Sequence, residues 1–182
     1  MATRSRSADG APNLLLTGRP GVGKTTLVRK VAESDLPIAG GFYTEEIREN
    51  GRRVGFMIRT LDGQADVLSH VRSRSKFRVG KYGVNVEAFD RVGVKSIEDA
   101  LQHKGMIVMD EIGRMELFSE RFQQAVVRAL DSRSTVFGVI QMKRNSFLDR
   151  IRKRPDTQIV TVTTGNRDSL LPEILTLLKP TR

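Results

Sequence analysis

The sequence predicts an α/β domain with a mostly parallel core sheet and antiparallel additions, on three observations. Short apolar runs alternate with helix-period segments at both ends of the chain. A hairpin-rich stretch interrupts that alternation in the middle. A glycine-rich loop joins the first apolar run to the first helical segment. The 182 residues, 38% of them hydrophobic, suit one domain with one core. That domain is assigned to residues 14–182, behind an extension over residues 1–13 that is expected to be disordered.

The elements follow in order. Asn13–Thr17 (NLLLT) reads as a short buried strand, and Lys24–Ser34 as a helix with Leu27, Val28 and Val31 on one face. Pro37–Thr44 is a second strand. Asn50–Gly51, flanked by EEIRE and RRVGFMI, signals a hairpin, because a type I′ turn needs positive φ at both central residues. Asp62–Gly63 offers a second turn, so residues 42–70 read as an antiparallel meander, and residues 76–84 add a short strand. Val94–Lys104 has helical spacing through Ile97, Ala100 and Leu101. Met106–Met109 is a continuous apolar run, as expected of a strand covered on both faces. Ser119–Asp131 is an amphipathic helix through Phe122, Val126 and Leu130. Ser134–Ile140 and Gln158–Thr163 are strands, and Asp168–Leu178 is a closing helix.

Composition excludes several chemistries. No cysteine means no disulfide framework, no thiolate zinc site and no cysteine nucleophile. His70 and His103 are the only imidazoles, too few and too separated for a histidine-built metal site. No apolar run reaches the ~18 residues of a membrane span, and the first residues lack the apolar stretch of a secretory signal. A cytoplasmic location is expected, with a monomer favoured. The net charge of +10 concentrates in residues 67–86, with five bases and no acid, and residues 142–155, with six bases against Asp149. Such stretches face polyanions or form a solvated basic surface.

Gly18, Arg19, Pro20, Gly21, Val22, Gly23, Lys24 and Thr25 fit G-x-x-x-x-G-K-[ST] in the required context, a strand before and a helix after. The glycines let backbone N–H groups approach phosphate oxygens, and the helix N-terminus adds the positive end of its dipole. Lys24 should reach the β- and γ-phosphates and the Thr25 hydroxyl should ligate Mg²⁺, with Thr26 also in the nucleotide site. A triphosphate site also needs a carboxylate at the tip of a parallel strand beside this loop. Met106, Ile107, Val108 and Met109 lead to Asp110 and Glu111. Asp110 is assigned to Mg²⁺ through water and Glu111 to activation of the attacking water.

Asp110 and Gly113, with Glu111 and Ile112 between them, also match the D-x-x-G of GTP-binding switches. Two features oppose that reading. Lys24 and Asp110 are 86 residues apart, and no N-K-x-D guanine reader follows. Asn166 and Arg167 stand where such a reader would be. Either they line the base, with Arg167 stacking on it, or Asn166 caps the last helix. A further cation is needed for the leaving oxygens. Arg114, Arg144 and a residue from a neighbouring chain all remain open.

Leu16–Val28 (LTGRPGVGKTTLV), Gly41–Phe56 (GFYTEEIRENGRRVGF), Asp110–Ser119 (DEIGRMELFS) and Asn166–Asp168 (NRD) together resemble the nucleoside-triphosphatases first described from thermophiles, whose animal members are called cancer-related nucleoside-triphosphatase. The resemblance runs from residue 14 to 178. It implies a three-layer P-loop sandwich related to RecA-like ATPases and nucleotide kinases. It also implies slow, Mg²⁺-dependent hydrolysis of ATP, GTP, CTP and UTP or TTP to diphosphate and phosphate, with low base selectivity. Nucleotide contacts carry over onto Gly18–Thr25 and Met106–Gly113. Arg114 departs from the lysine of many members, and the Gln141–Asn145 stretch is variable among them, which weakens the case for Arg144. Two other readings stand beside hydrolysis. One is a nucleotide or nucleoside kinase using the same loop. The other is a nucleotide-gated RNA-binding module using the two basic stretches, against which stands the low count of aromatics.

Overall fold

The computed structural model describes residues 13–179. Of the extension expected over residues 1–13, residues 1–12 lie outside the described residues. Asn13 belongs to the domain: it is buried, its side-chain Oδ1 accepts the Val136 N–H at 3.0 Å, and it opens strand β1 (Asn13–Thr17).

Among the described residues nine strands form one sheet. After β1 come helix α1 (Lys24–Ala32), then β2 (Ile38–Glu49), β3 (Arg52–Thr60), β4 (Ala65–His70), β5 (Arg78–Val79) and β6 (Tyr82–Val84). Helix α2 (Val86–Phe89) runs through a π-helical turn, Asp90–Val94, into α3 (Lys95–Ala100). Then follow β7 (Met106–Ile112), α4 (Glu120–Asp131), β8 (Val136–Ile140), α5 (Ser146–Arg152), β9 (Thr157–Thr161) and α6 (Leu170–Leu178). The strand order is β5-β6-β4-β3-β2-β7-β8-β1-β9. The five strands β2, β7, β8, β1 and β9 are parallel, and β3 to β6 extend the sheet antiparallel.

The period-two alternation of a strand sorts the core into two layers of side chains. Leu14, Leu16, Val108, Phe137 and Val139 meet Leu27, Val28 and Val31 of α1 and Ile174 of α6. Leu15, Ile107, Met109, Val136 and Ile140 face the other way, against Phe89, Phe122, Val126, Leu130 and Leu148. The architecture is therefore helix, sheet, helix, as the alternating sequence pattern requires. No helix among the described residues is long and apolar enough to cross a membrane.

Several elements depart from the sequence expectation. Strand β2 does not end at Thr44. It continues to Glu49, pairing in parallel with β7 at its start and antiparallel with β3 beyond, so one strand carries both sheet regimes. Gly41 makes that junction fit, since a Cβ there would stand 2.0 Å from the Val108 carbonyl oxygen. The Asn50–Gly51 hairpin forms with both residues at positive φ (49° and 75°). The helix expected over Val94–Lys104 begins at Val86 and ends at Ala100. Gly93 hides it from a propensity reading, although a Cβ there would collide with the Phe89 ring at 2.6 Å. The basic stretch 142–155 contains α5, with Phe147, Leu148 and Ile151 buried and Asn145 Oδ1 accepting the Phe147 N–H at 2.8 Å. Finally, β7 is not beside β1: β8 lies between them.

Candidate functional site

The C-terminal ends of β1, β7 and β8 meet the antiparallel extension around a cavity of about 1050 Å³. Crevices at the carboxyl ends of parallel strands are where open α/β sheets bind ligands. Gly18, Pro20, Gly21, Gly23, Lys24, Thr25 and Thr26 line it. Arg19 and Val22 do not, and Val22 is part of the core at 7% exposure. Lys24 Nζ donates to the carbonyls of Gly18 (2.8 Å) and Arg19 (2.9 Å), tying the loop to the first residue of its helix. Gly23, at the N-cap of α1, has a left-handed backbone (φ 109°). A β-carbon there would be 3.6 Å from Arg167 Cδ.

Met106, Ile107, Val108, Met109 and Ile112 are buried in the core and do not line the cavity. Of the residues of β7, Asp110 and Glu111 line it. The two acids lie inside β7, where pairing with β8 shifts register between Met109 and Ile112. That irregularity lets neighbouring acids both reach one site.

Asp110 is 2% exposed, and its Oδ2 has no hydrogen-bond partner among the described residues. Burial pushes its carboxyl up to about 7; the Thr25 hydroxyl, hydrogen-bonded to it, pulls down, Glu111 adds to the push, and Lys24 and Arg29 oppose it. Burial also raises Glu111, against the pull of Lys24. Gln141 Nε2 approaches Glu111 Oε1 at 3.5 Å. An orphaned, desolvated carboxylate oxygen beside a threonine hydroxyl is a donor set suited to Mg²⁺. That ion is usually held by one or two protein oxygens, with phosphate and water completing the shell.

Sequence reasoning missed several groups. Glu116 is 3% exposed and lines the cavity. Burial, then the charge of Glu111, holds its carboxyl well above the usual range, while the N–H groups of Glu116 and Gly113 offset part of this. Its signal was an acid inside the apolar run Met115–Phe118. Arg29 lies one helical turn after Thr25 on α1, hence on the same face. It pairs with Glu45 and lies over the Tyr43 ring at 4.7 Å. Thr44, Glu45 and Glu46 line the cavity as well, so the segment GFYTEE contributes directly to the site.

Of the candidate cations, Arg114 lines the cavity, its backbone N–H donating to Gln141 Oε1 at 3.2 Å. Arg144 does not line it: its side chain is 82% exposed and pairs with Asp149 at 3.2 Å. Asn166 and Arg167 are also outside the lining. Asn166 does not cap α6, whose N-cap is Ser169. Its amide folds the preceding turn, accepting from Thr163 N–H at 2.8 Å and donating to the Thr161 carbonyl at 3.0 Å.

Comparison with known proteins agrees with this architecture. A family model described as NTPase matches residues 13–175. Nucleoside-triphosphatase THEP1 of Thermotoga sp. (strain RQ2) is 48% identical over 91% of this chain and 95% of its own length. The crystal structure of THEP1 from the hyperthermophile Aquifex aeolicus superposes with a TM-score of 0.84 at 38% identity, over 92% of this chain and 99% of that one. The solution structure of a human cancer-related nucleoside triphosphatase gives 0.81 at 39% identity, over 94% and 100%. With the family model spanning nearly all the described residues and the Thermotoga relative nearly half identical, the chain belongs to the nucleoside-triphosphatase family.

Proposed function

We propose that this protein hydrolyses nucleoside triphosphates to diphosphate and phosphate, with Mg²⁺ and with low selectivity for the base. The observation that carries the reading is the convergence of Gly18–Thr26 with Asp110 and Glu111 on one cavity across the interposed strand β8. The loop supplies backbone donors and Lys24 for the β- and γ-phosphates. Asp110 and Thr25 would hold the metal, which would supply positive charge against the phosphate oxygens. Glu111 orients the attacking water and takes its proton. Burial shifts its carboxyl upward, the direction that strengthens a general base. Arg114 meets the charge that develops on the transferred group.

Low base selectivity is supported by the region after β9. The Asn166 amide is engaged by the backbone of its own turn, and Arg167 lies against Gly23. A guanidinium face stacks on any base. The RNA-binding alternative draws no support from the basic stretch 142–155. There Arg144, Arg152 and Arg154 are ion-paired, and Phe147 is buried. The test is phosphate release from ATP, GTP, CTP and UTP, with Mg²⁺ or with EDTA and no acceptor added. Release from all four with kcat/KM within about tenfold is expected, since stacking and phosphate contacts leave less than ~1.4 kcal/mol between bases. Metal-independent release, or turnover of one base alone, would refute this reading.

A further inference from the structure

The cavity extends well beyond the phosphate loop and the two acids, to side chains of β2, β3 and β6. At about 1050 Å³ it lies just above the ~300–1,000 Å³ range of single small-molecule sites. Its extra space lies on one side. Moving outward from the phosphate loop on β1, the sheet order passes β8, then β7 with Glu111, then β2, β3, β4 and β6. Glu45, Glu46, Arg53, Phe56, Val79 and Tyr82 form that far wall, and the turn after β9 contributes nothing to the lining. In-line displacement at the γ-phosphorus brings the nucleophile from the side opposite the leaving diphosphate. Glu111 marks that side, and the far wall lies beyond it. Attack by water needs no such wall.

The wall has a defined chemistry. Phe56 and Tyr82 meet edge to face at 5.4 Å. The Arg53 guanidinium lies over both rings, at 5.1 and 5.8 Å, and its Nε donates to Tyr82 Oη at 3.0 Å. This is a platform for a planar ring. Arg53 on this wall and the arginines around it each have a carboxylate. Glu46 takes Arg53 at 2.7 Å and Arg48 at 2.6 Å, and Glu45 takes Arg29 and Arg59. Arg114 and Lys143 follow β7 and β8, closer to the phosphate loop in the sheet order. Among the described residues that line it, the far wall therefore offers paired charges and carboxylate lone pairs that accept from hydroxyls, and no unpaired cation for a second phosphate.

We propose that this outer part of the cavity is an acceptor pocket for a neutral, ring-bearing alcohol of nucleoside size, whose hydroxyl replaces water as the nucleophile. The acceptor oxygen forms a bond to the γ-phosphorus as the bond from that phosphorus to the β,γ-bridging oxygen breaks. The electron pair leaves with the diphosphate, and the hydroxyl proton passes to the Glu111 carboxylate. The products are the phosphorylated alcohol and a nucleoside diphosphate. The inference rests on Glu111 acting as the base of the hydrolytic reaction.

The experiment supplies the full chain with γ-³²P-ATP and Mg²⁺, alone and with adenosine, guanosine, cytidine or uridine, and separates labelled phosphate from labelled organophosphate. The same assay with the four nucleoside monophosphates is the control for charge. The expected result is labelled nucleoside monophosphate from at least one nucleoside, a matching fall in phosphate, and less transfer to monophosphates. Arg53→Ala and Tyr82→Leu, checked for folding by thermal melting, should each lower the organophosphate-to-phosphate ratio about tenfold, the loss of one good charged contact. Phosphate release that continues with no organophosphate from any nucleoside overturns the pocket and leaves hydrolysis standing. Preferred transfer to the monophosphates overturns its assignment to a neutral acceptor. No product of either kind overturns both readings.

Discussion

Gly113 offers a way to move the proposed base without removing it. Its φ is not positive, so an alanine meets no backbone penalty there. The added Cβ would stand 2.6 Å from Glu111 Oε1 and 3.1 Å from Glu116 Oε2, both far ends of side chains. Reaching the 3.4 Å at which contact becomes ordinary shifts the Glu111 carboxylate by about 0.8 Å. A displacement near 1 Å in a catalytic group costs roughly 10²-fold in rate, ~2.7 kcal/mol of transition-state stabilisation. Gly113→Ala is therefore expected to lower kcat about a hundredfold. The thermal midpoint should stay within a few degrees, because side chains rather than backbone give way. Nucleotide affinity should hold, since the phosphate loop is untouched. Steady-state phosphate release, equilibrium dialysis of ATP and thermal melting together read all three. A variant with kcat within threefold of wild type would refute the placement of the base, and one that loses rate only because it unfolds would refute the packing argument.

Three further outcomes follow from the geometry. Arg114→Ala should lower kcat by about 10²–10³, the usual cost of one lost charge-stabilising donor. Arg144→Ala, outside the cavity, should leave kcat unchanged in the same phosphate assay and cost under ~1 kcal/mol, as exposed ion pairs do. Gly41→Ala should destabilise by roughly 2–6 kcal/mol. Its Cβ meets a backbone oxygen at 2.0 Å with φ at 124°, so overpacking and strain add. Urea unfolding would measure this, and a loss under 1 kcal/mol would show that β2 and β7 can separate cheaply.

What was legible in the sequence was what local chemistry dictates. The phosphate loop is readable because each position has its own requirement, down to the lysine that bridges the loop carbonyls. The Asn50–Gly51 hairpin is readable because few residue pairs accept two positive φ values. Strand order is not local, so the sequence placed the Asp110 strand beside the loop, whereas β8 intervenes. The helix from Val86 was hidden by Gly93, which serves the Phe89 ring rather than the backbone. Helix α5 is seven residues long, too short for periodicity to outweigh the charges around it. Of the acids in DEIGRMELFS, the pair at 110 and 111 follows an apolar strand and announces itself. Glu116 becomes part of the site only through the 3₁₀ turn Glu116–Phe118 that follows β7. Arg29 needed the tertiary pairing with Glu45 to show that its helix face turns into the cavity.

The most direct test of the account compares wild type with Glu111→Gln, a change that preserves shape and removes the base. ATP binding and single-turnover phosphate release would be measured on the same preparation with Mg²⁺. The account predicts retained or tighter binding with a rate lower by about 10²–10⁴-fold. A variant that binds ATP and still releases phosphate at more than a tenth of the wild-type rate would contradict it.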